Sequence, residues 1–256
     1  MPRLHRTLSV RGYELGPSGV VSLATFARYF EHLRWESSSD PSMDLARFFT
    51  NGYRMVVRSQ RIELGQPVGV GVPMRLSLWV GRIGRASMDM WHEAHRDGDG
   101  ALVARGVVTA VYLGHDRRPH PIPEDVRAMV EPADATAIIE PLDVPAPAGA
   151  WTSEFEVRPS DLDMFQHVNH AVYAAYYDDA RWLGARQGAF GPRSRTVEHG
   201  MTRAMAIDYR REVLVGQRIE VAAWALDGGI DELGVELRRK DDGELLSSAR
   251  LVMTET

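Results

Sequence analysis

The sequence predicts an α+β protein built from two copies of one module, each a strand, one long helix and four further strands. Three observations predict it. Residues 10–35 and 157–182 align without a gap and are identical at nine of 26 positions: Val10/Val157, Arg11/Arg158, Leu15/Leu162, Val21/Val168, Ala24/Ala171, Ala27/Ala174, Tyr29/Tyr176, Arg34/Arg181 and Trp35/Trp182. Gly71 and Trp79 recur as Gly216 and Trp224 at a shared spacing, so the duplication runs on into the strands. Each aligned segment is followed by several strand-like runs, a pattern in which an antiparallel sheet wraps a single helix. The offset of 147 residues is far too long for a solenoid repeat, which leaves two copies of a small domain.

In the first copy an alternating strand runs to Tyr13 and a Gly16-Pro17-Ser18-Gly19 loop follows. Ser22 is then a suitable N-cap for a helix whose Leu23, Phe26, Ala27, Phe30 and Leu33 form one apolar stripe. Asp40-Pro41 opens a short second helix ending near Asn51-Gly52. Strands are expected at about 53–64, 68–82, 86–95 and 101–113, with Asp97-Gly98-Asp99-Gly100 turning the last hairpin. Seven of the fourteen prolines lie between Pro119 and Pro147, so residues 115–150 read as a surface linker with a short helix near 124–130. The second copy repeats the order: a strand over 152–159, a loop, a helix over 170–186 capped by Asn169, and strands near 201–212, 216–227, 232–240 and 244–255. The expected domains are thus 1–114 and 151–256, joined by 115–150. Two such sheets side by side would make a dimer fused in a single chain.

At 256 residues, 44% hydrophobic and 25% charged, the chain is long enough for two globular cores. MPRLHRTLSV lacks an apolar h-region and no stretch approaches 18 apolar residues, so neither a signal peptide nor a membrane span is expected, and the expected location is cytoplasmic. The absence of cysteine removes disulfides, thiolate metal sites and a cysteine nucleophile. A net charge of −5 argues against a nucleic-acid partner. Lys240 is the only lysine, for which genomic codon bias is the simplest account.

The two copies differ in polar chemistry. Where the second has Asp163, His167 and Asn169, the first has Gly16, Val20 and Ser22. Asp161-Leu162-Asp163-Met164-Phe165-Gln166-His167-Val168-Asn169 thus sets two acids, a histidine and an amide just before a helix. Unpaired N–H groups at a helix start can polarise a carbonyl, and a carboxylate beside them can activate water or attack directly. Asp and Asn before a helix are also ordinary caps. A cap would be kept in both copies, however, and Glu14 and Ser22 do keep the cap-like positions, whereas Asp163 and His167 have gone. Other features carry little chemistry. His92 and His95 point to opposite faces of a strand, Asp97–Gly100 lacks the later acids of a calcium loop, and no Gly-x-Ser-x-Gly occurs.

Asp-Leu-Asp-x-x-Gln-His-Val-Asn followed by an aromatic helix resembles the acyl-ACP thioesterase family, which carries two hotdog domains per chain and is related to 4-hydroxybenzoyl-CoA-type hotdog thioesterases. Ile207-Asp208-Tyr209-Arg210-Arg211-Glu212 is similar to that family's strand signature, and Val10-Arg11 through Pro17-Ser18-Gly19 to its N-terminal half. The resemblance implies a tandem double hotdog with Asp163 as catalytic acid, His167 its partner and Glu212 a further carboxylate. Phe165 stands where the plant form has Asn, and Val213 where it has Cys, which favours a mechanism centred on Asp163. N–H groups around Val168, Asn169 and His170 are expected to assist, with Phe165 and Tyr173 beside the substrate; Arg210, Arg211 and Glu212 also read as surface ion pairs on a strand. The site is expected at the seam of the modules, without metal or cofactor.

The activity implied is hydrolysis of a fatty acyl thioester, with acyl-ACP as the carrier, to free acid and thiol. An acyl- or aryl-CoA thioesterase and a non-hydrolytic hotdog (a dehydratase or lipid-binding protein) stay open as alternatives. The partners expected are the acyl-phosphopantetheine thioester, the acyl carrier protein bearing it and, as an open alternative, a second copy of the chain in a homodimer.

Overall fold

The computed structural model describes residues 3–41, 43, 45, 48, 53–131, 138–226 and 231–254. The chain divides into two compact units, Met1–Ile138 and Ile139–Thr256. The short helix expected between Asp40-Pro41 and Asn51-Gly52 falls largely outside the described residues.

The first unit comprises β1 (Leu4–Ser9), α1 (Leu23–Ser39), β2 (Arg54–Leu64), β3 (Pro73–Ile83), β4 (Ser87–Arg96), β5 (Leu102–Leu113) and a one-turn α2 (Glu124–Arg127). Its strands pair antiparallel in the order β1-β3-β4-β5-β2. Ser22 caps α1 as expected, its Oγ accepting from Thr25 N at 3.2 Å. The apolar stripe Leu23, Phe26, Ala27, Phe30 and Leu33 is buried, and α1 lies on β1, β2 and β3. Burial on this scale stabilises by about 1.5–3 kcal/mol for each large side chain. β1 stops at Ser9 instead of reaching Tyr13, because residues 12–14 coil into a 3₁₀ turn. That turn closes when Glu14 Oε2 accepts from Arg11 N at 2.7 Å. Residues 115–131 are packed on this unit: Ile122 and Val126 are buried, and Ile122 N–H donates to Arg85 O.

The second unit comprises β6 (Trp151–Glu156), α3 (Val172–Arg186), α4 (Ser194–His199), β7 (Met201–Tyr209), β8 (Arg218–Ala225), β9 (Glu232–Arg239) and β10 (Leu245–Thr254). The order β6-β8-β9-β10-β7 repeats the first unit strand for strand. α3 packs on β6, β7, β8 and β9. Its fully buried Tyr177 donates to Ser247 Oγ at 2.6 Å, and Ser247 in turn donates to Asp208 O, so no polar atom of this pair is stranded in the core. The segment 191–199 is helical, which sequence periodicity did not suggest. Arg181, buried on α3, holds it by donating to Val197 O, and Ser194 Oγ accepts from Phe190 N at 3.0 Å.

Trp79 and Trp224 occupy matching strands, but what lies opposite differs. Trp79 is in register with Trp91 and the two rings stack at 6.3 Å. Trp224 is in register with Gly234, and a Cβ at Gly234 would sit 2.3 Å from the indole ring. Gly234→Ala should therefore destabilise the chain by about 1–3 kcal/mol through overpacking, read as a lowered denaturation midpoint; an unchanged midpoint would show that the indole has room to move.

Candidate active site

Arg158, Asp161 and Tyr176 build the base of the site. Asp161 is 5% exposed. Its carboxylate accepts from Arg158 N (3.2 Å), from the Arg158 guanidinium (3.1 Å at each oxygen) and from Tyr176 OH (2.7 Å). Burial by itself would raise the Asp161 pKa, but the Arg158 guanidinium, the Tyr176 hydroxyl and the Arg158 N–H together outweigh it and hold the group below the usual aspartate value. The first unit carries the same device: Glu14 accepts from Arg11 N and from Tyr29 OH at 2.6 Å. Asp161, one of the two acids of the motif, thus ties the loop to the helix, as Glu14 does at the matching position of the first copy.

From this base the chain makes a tight hairpin. Leu162 bridges Val168, Asp163 N donates to His167 O (2.9 Å), and Gln166 N donates to Asp163 O (3.0 Å). Gln166 then takes φ = +65°, the left-handed position that closes a bulged three-residue loop. The first unit folds identically, with Leu15 bridging Val21, Gly16 N donating to Val20 O and Gly19 at φ = +78°. Only the side chains differ.

Those side chains bring Asp163 and His167 together. Asp163 Oδ1 accepts from Phe165 N at 2.9 Å, and Oδ2 lies 3.3 Å from His167 Nδ1. The carboxylate is mostly shielded and the imidazole about a third exposed. Phe165 stacks on the His167 ring at 5.9 Å while remaining 45% exposed.

Two of the three backbone donors expected to help are engaged elsewhere. Val168 N donates to Val213 O (2.8 Å) and Asn169 N to Asp161 O (2.9 Å). Asn169 does not cap the helix directly. α3 starts at Val172, and Asn169 Oδ1 instead accepts from Ala171 N (2.9 Å) while its carbonyl accepts from Val172 N. His170 is fixed through its carbonyl, which accepts from Tyr209 OH at 2.8 Å.

Tyr173, on the first turn of α3, is buried and meets Tyr209 edge to face at 5.1 Å. Burial pushes its phenol pKa well up, and the carboxylates of Glu212 and Asp163 add to the rise, so all three lie within electrostatic reach and the hydroxyl stays protonated. Glu212 is exposed and beyond the end of β7, which stops at Tyr209. There Arg210 N and Arg211 N both donate to Leu246 O, which breaks the ladder. Arg211 pairs with Glu244 at 2.7 Å. The contacts made by Tyr209 and Val213 escaped sequence reasoning, which took Tyr209 only as part of the Tyr-Arg-Arg-Glu motif and Val213 only as standing where the plant form has Cys. Tyr209 holds His170 O, and Val213 acts through its carbonyl.

His92 is buried and stacks on Phe30, while His95 faces the other side and binds Gly100 O. Among the described residues no group of three or more His, Asp or Glu side chains could hold a metal ion, and no helix is long and apolar enough to cross a membrane.

Two antiparallel sheets of one topology, each wrapping a long helix, with an acid–histidine hairpin before only the second helix, define a double-hotdog chain. The model of the thioesterase-like superfamily matches residues 10–130 and 157–254, and the chain belongs to that superfamily. Its fold is similar to that of an acyl-ACP thioesterase from Bacteroides thetaiotaomicron, with a TM-score of 0.81 at 14% identity over 98% of each chain. It is also similar to that of the 12:0-ACP thioesterase from Umbellularia californica, with a TM-score of 0.79 at 19% identity over 99% of this chain and 98% of that one. No curated protein matches the chain by sequence.

The Asp161 contacts set an acid limit. A depressed folded pKa contributes stability above the unfolded value, near 4, and that stability is lost as pH falls through the folded value. Wild type should therefore lose stability steeply below about pH 4. Asp161→Asn should start less stable at neutral pH and show a flatter decline over the same interval in urea titrations; parallel curves would remove Asp161 from the acid response.

Proposed function

We propose that the chain hydrolyses a fatty acyl thioester, carried on acyl carrier protein, to free acid and thiol, with Asp163 as general base or nucleophile. The observation that carries the reading is the Asp163–His167 pair, held by a hairpin before a buried helix and replaced by Gly16 and Val20 where the same hairpin recurs. Superfamily membership supports thioester chemistry, and full-length likeness to two acyl-ACP thioesterases supports the carrier.

In the general-base form, Asp163 takes a proton from water as hydroxide adds to the thioester carbonyl. The tetrahedral intermediate then expels the thiolate, which recovers the proton. Phe165 N–H fixes one carboxylate oxygen and His167 faces the other, so the carboxylate is oriented before substrate arrives. The positive end of the α3 dipole favours the developing oxyanion. Glu212 and Tyr173 complete the polar wall in this reading, with the buried phenol as a donor.

Asp163→Asn should lower kcat by about 10²–10⁴-fold while leaving thermal unfolding near wild type; turnover close to wild type would take Asp163 out of the mechanism. Matched acyl-ACP and acyl-CoA substrates test the carrier. Higher kcat/KM on acyl-ACP is the expected result, and a preference for acyl-CoA would move the chain to the CoA-directed thioesterases.

A further inference from the structure

Gln166 occupies a backbone position that glycine fills in the first unit. Among the described residues only Arg117 and Gln166 have positive φ without being glycine. At the matching place in the first unit, in the same bulged hairpin with the same hydrogen bonds, stands Gly19 at φ = +78°. A side chain there crowds the following carbonyl, which is why L-residues other than Asn and Asp avoid the region. Glycine would relieve that crowding, so a glutamine at this position points to a use for its side chain.

Placement indicates the use. Gln166 is exposed, its N–H is bonded to Asp163 O at 3.0 Å, and it directly precedes His167. Its carboxamide therefore springs from the reacting hairpin on the solvent side. An acyl thioester whose carbonyl reaches Asp163 must leave its thiol half on that side, because a carrier is too large to be enclosed. The thiol half of either carrier is a phosphopantetheine arm with secondary amides, each offering one N–H and one C=O. A carboxamide supplies the complementary acceptor and donor.

Resting on the thioesterase reading, we propose that Gln166 binds an amide of the pantetheine arm and gives the site its preference for pantetheine thioesters over simple thioesters. The contact is made alike in ground and transition states, so its loss shows in KM more than in kcat.

The test compares wild type with Gln166→Gly and Gln166→Asn on two substrates of one acyl group, its S-pantetheine thioester and its S-phenyl thioester, which lacks amides. Gln166→Gly should melt at or above the wild-type temperature. Its ratio of kcat/KM for the pantetheine over the phenyl thioester should fall about 3–10-fold, through KM, as expected for one hydrogen bond. Gln166→Asn tolerates the backbone but has the shorter reach, and should fall comparably. An unchanged ratio in both variants, or a lower melting temperature for Gln166→Gly, overturns the assignment while leaving the thioesterase reading intact. Wild-type inertness on both substrates would remove that reading and the assignment with it.

Discussion

The second unit's site depends on one buried carboxylate. Asp161 is grasped by the backbone and guanidinium of Arg158 and by the hydroxyl of Tyr176, and its carbonyl receives Asn169 N. Loop, hairpin exit and helix are thereby tied to one another, which holds the hairpin bearing Asp163 and His167 against the start of α3. A buried carboxylate is tolerable only because every contact is a charge-assisted hydrogen bond. The same arrangement around Glu14 marks it as part of the module common to both copies.

Within the hairpin the copies have diverged in side chains and hardly at all in backbone. Gly16, Val20 and Ser22 make the hairpin that Asp163, His167 and Asn169 make. In the proposed reading one competent hairpin suffices, so a chain with two modules can lose the polar groups of the other. The first unit keeps its packing, with Phe26, Phe30 and Leu33 buried where α1 meets the sheet. Nothing in its hairpin equals the acid–histidine pair.

Much of this was legible beforehand, because duplication turns one sequence into a two-member comparison. The two long helices, the buried face of α1 and the strands along each module followed from periodicity and the repeat, whereas α4 and the order of strands within each sheet did not. The repeat separated Asp161, matched by Glu14, from Asp163, matched by Gly16, but the way Asp161 ties the loop to the helix appears only in its contacts with Arg158 and Tyr176. The start of α3 was placed two residues early because Asn169 caps a preceding turn, a choice made by backbone geometry. Strand β7 ends before Glu212 because two successive N–H groups share Leu246 O, which no residue pattern records. The engagement of Val168 N by Val213 O is likewise a backbone contact, invisible in side-chain identity.

The account holds that Asp163 and His167 act as one unit. A double-mutant cycle on kcat for thioester hydrolysis, with Asp163→Asn, His167→Gln and the pair combined, tests that most directly. Groups that act together lose their joint effect once, so the double variant should be no slower than Asp163→Asn alone. Losses that multiply would show two independent contributions and contradict the pairing on which the site is built.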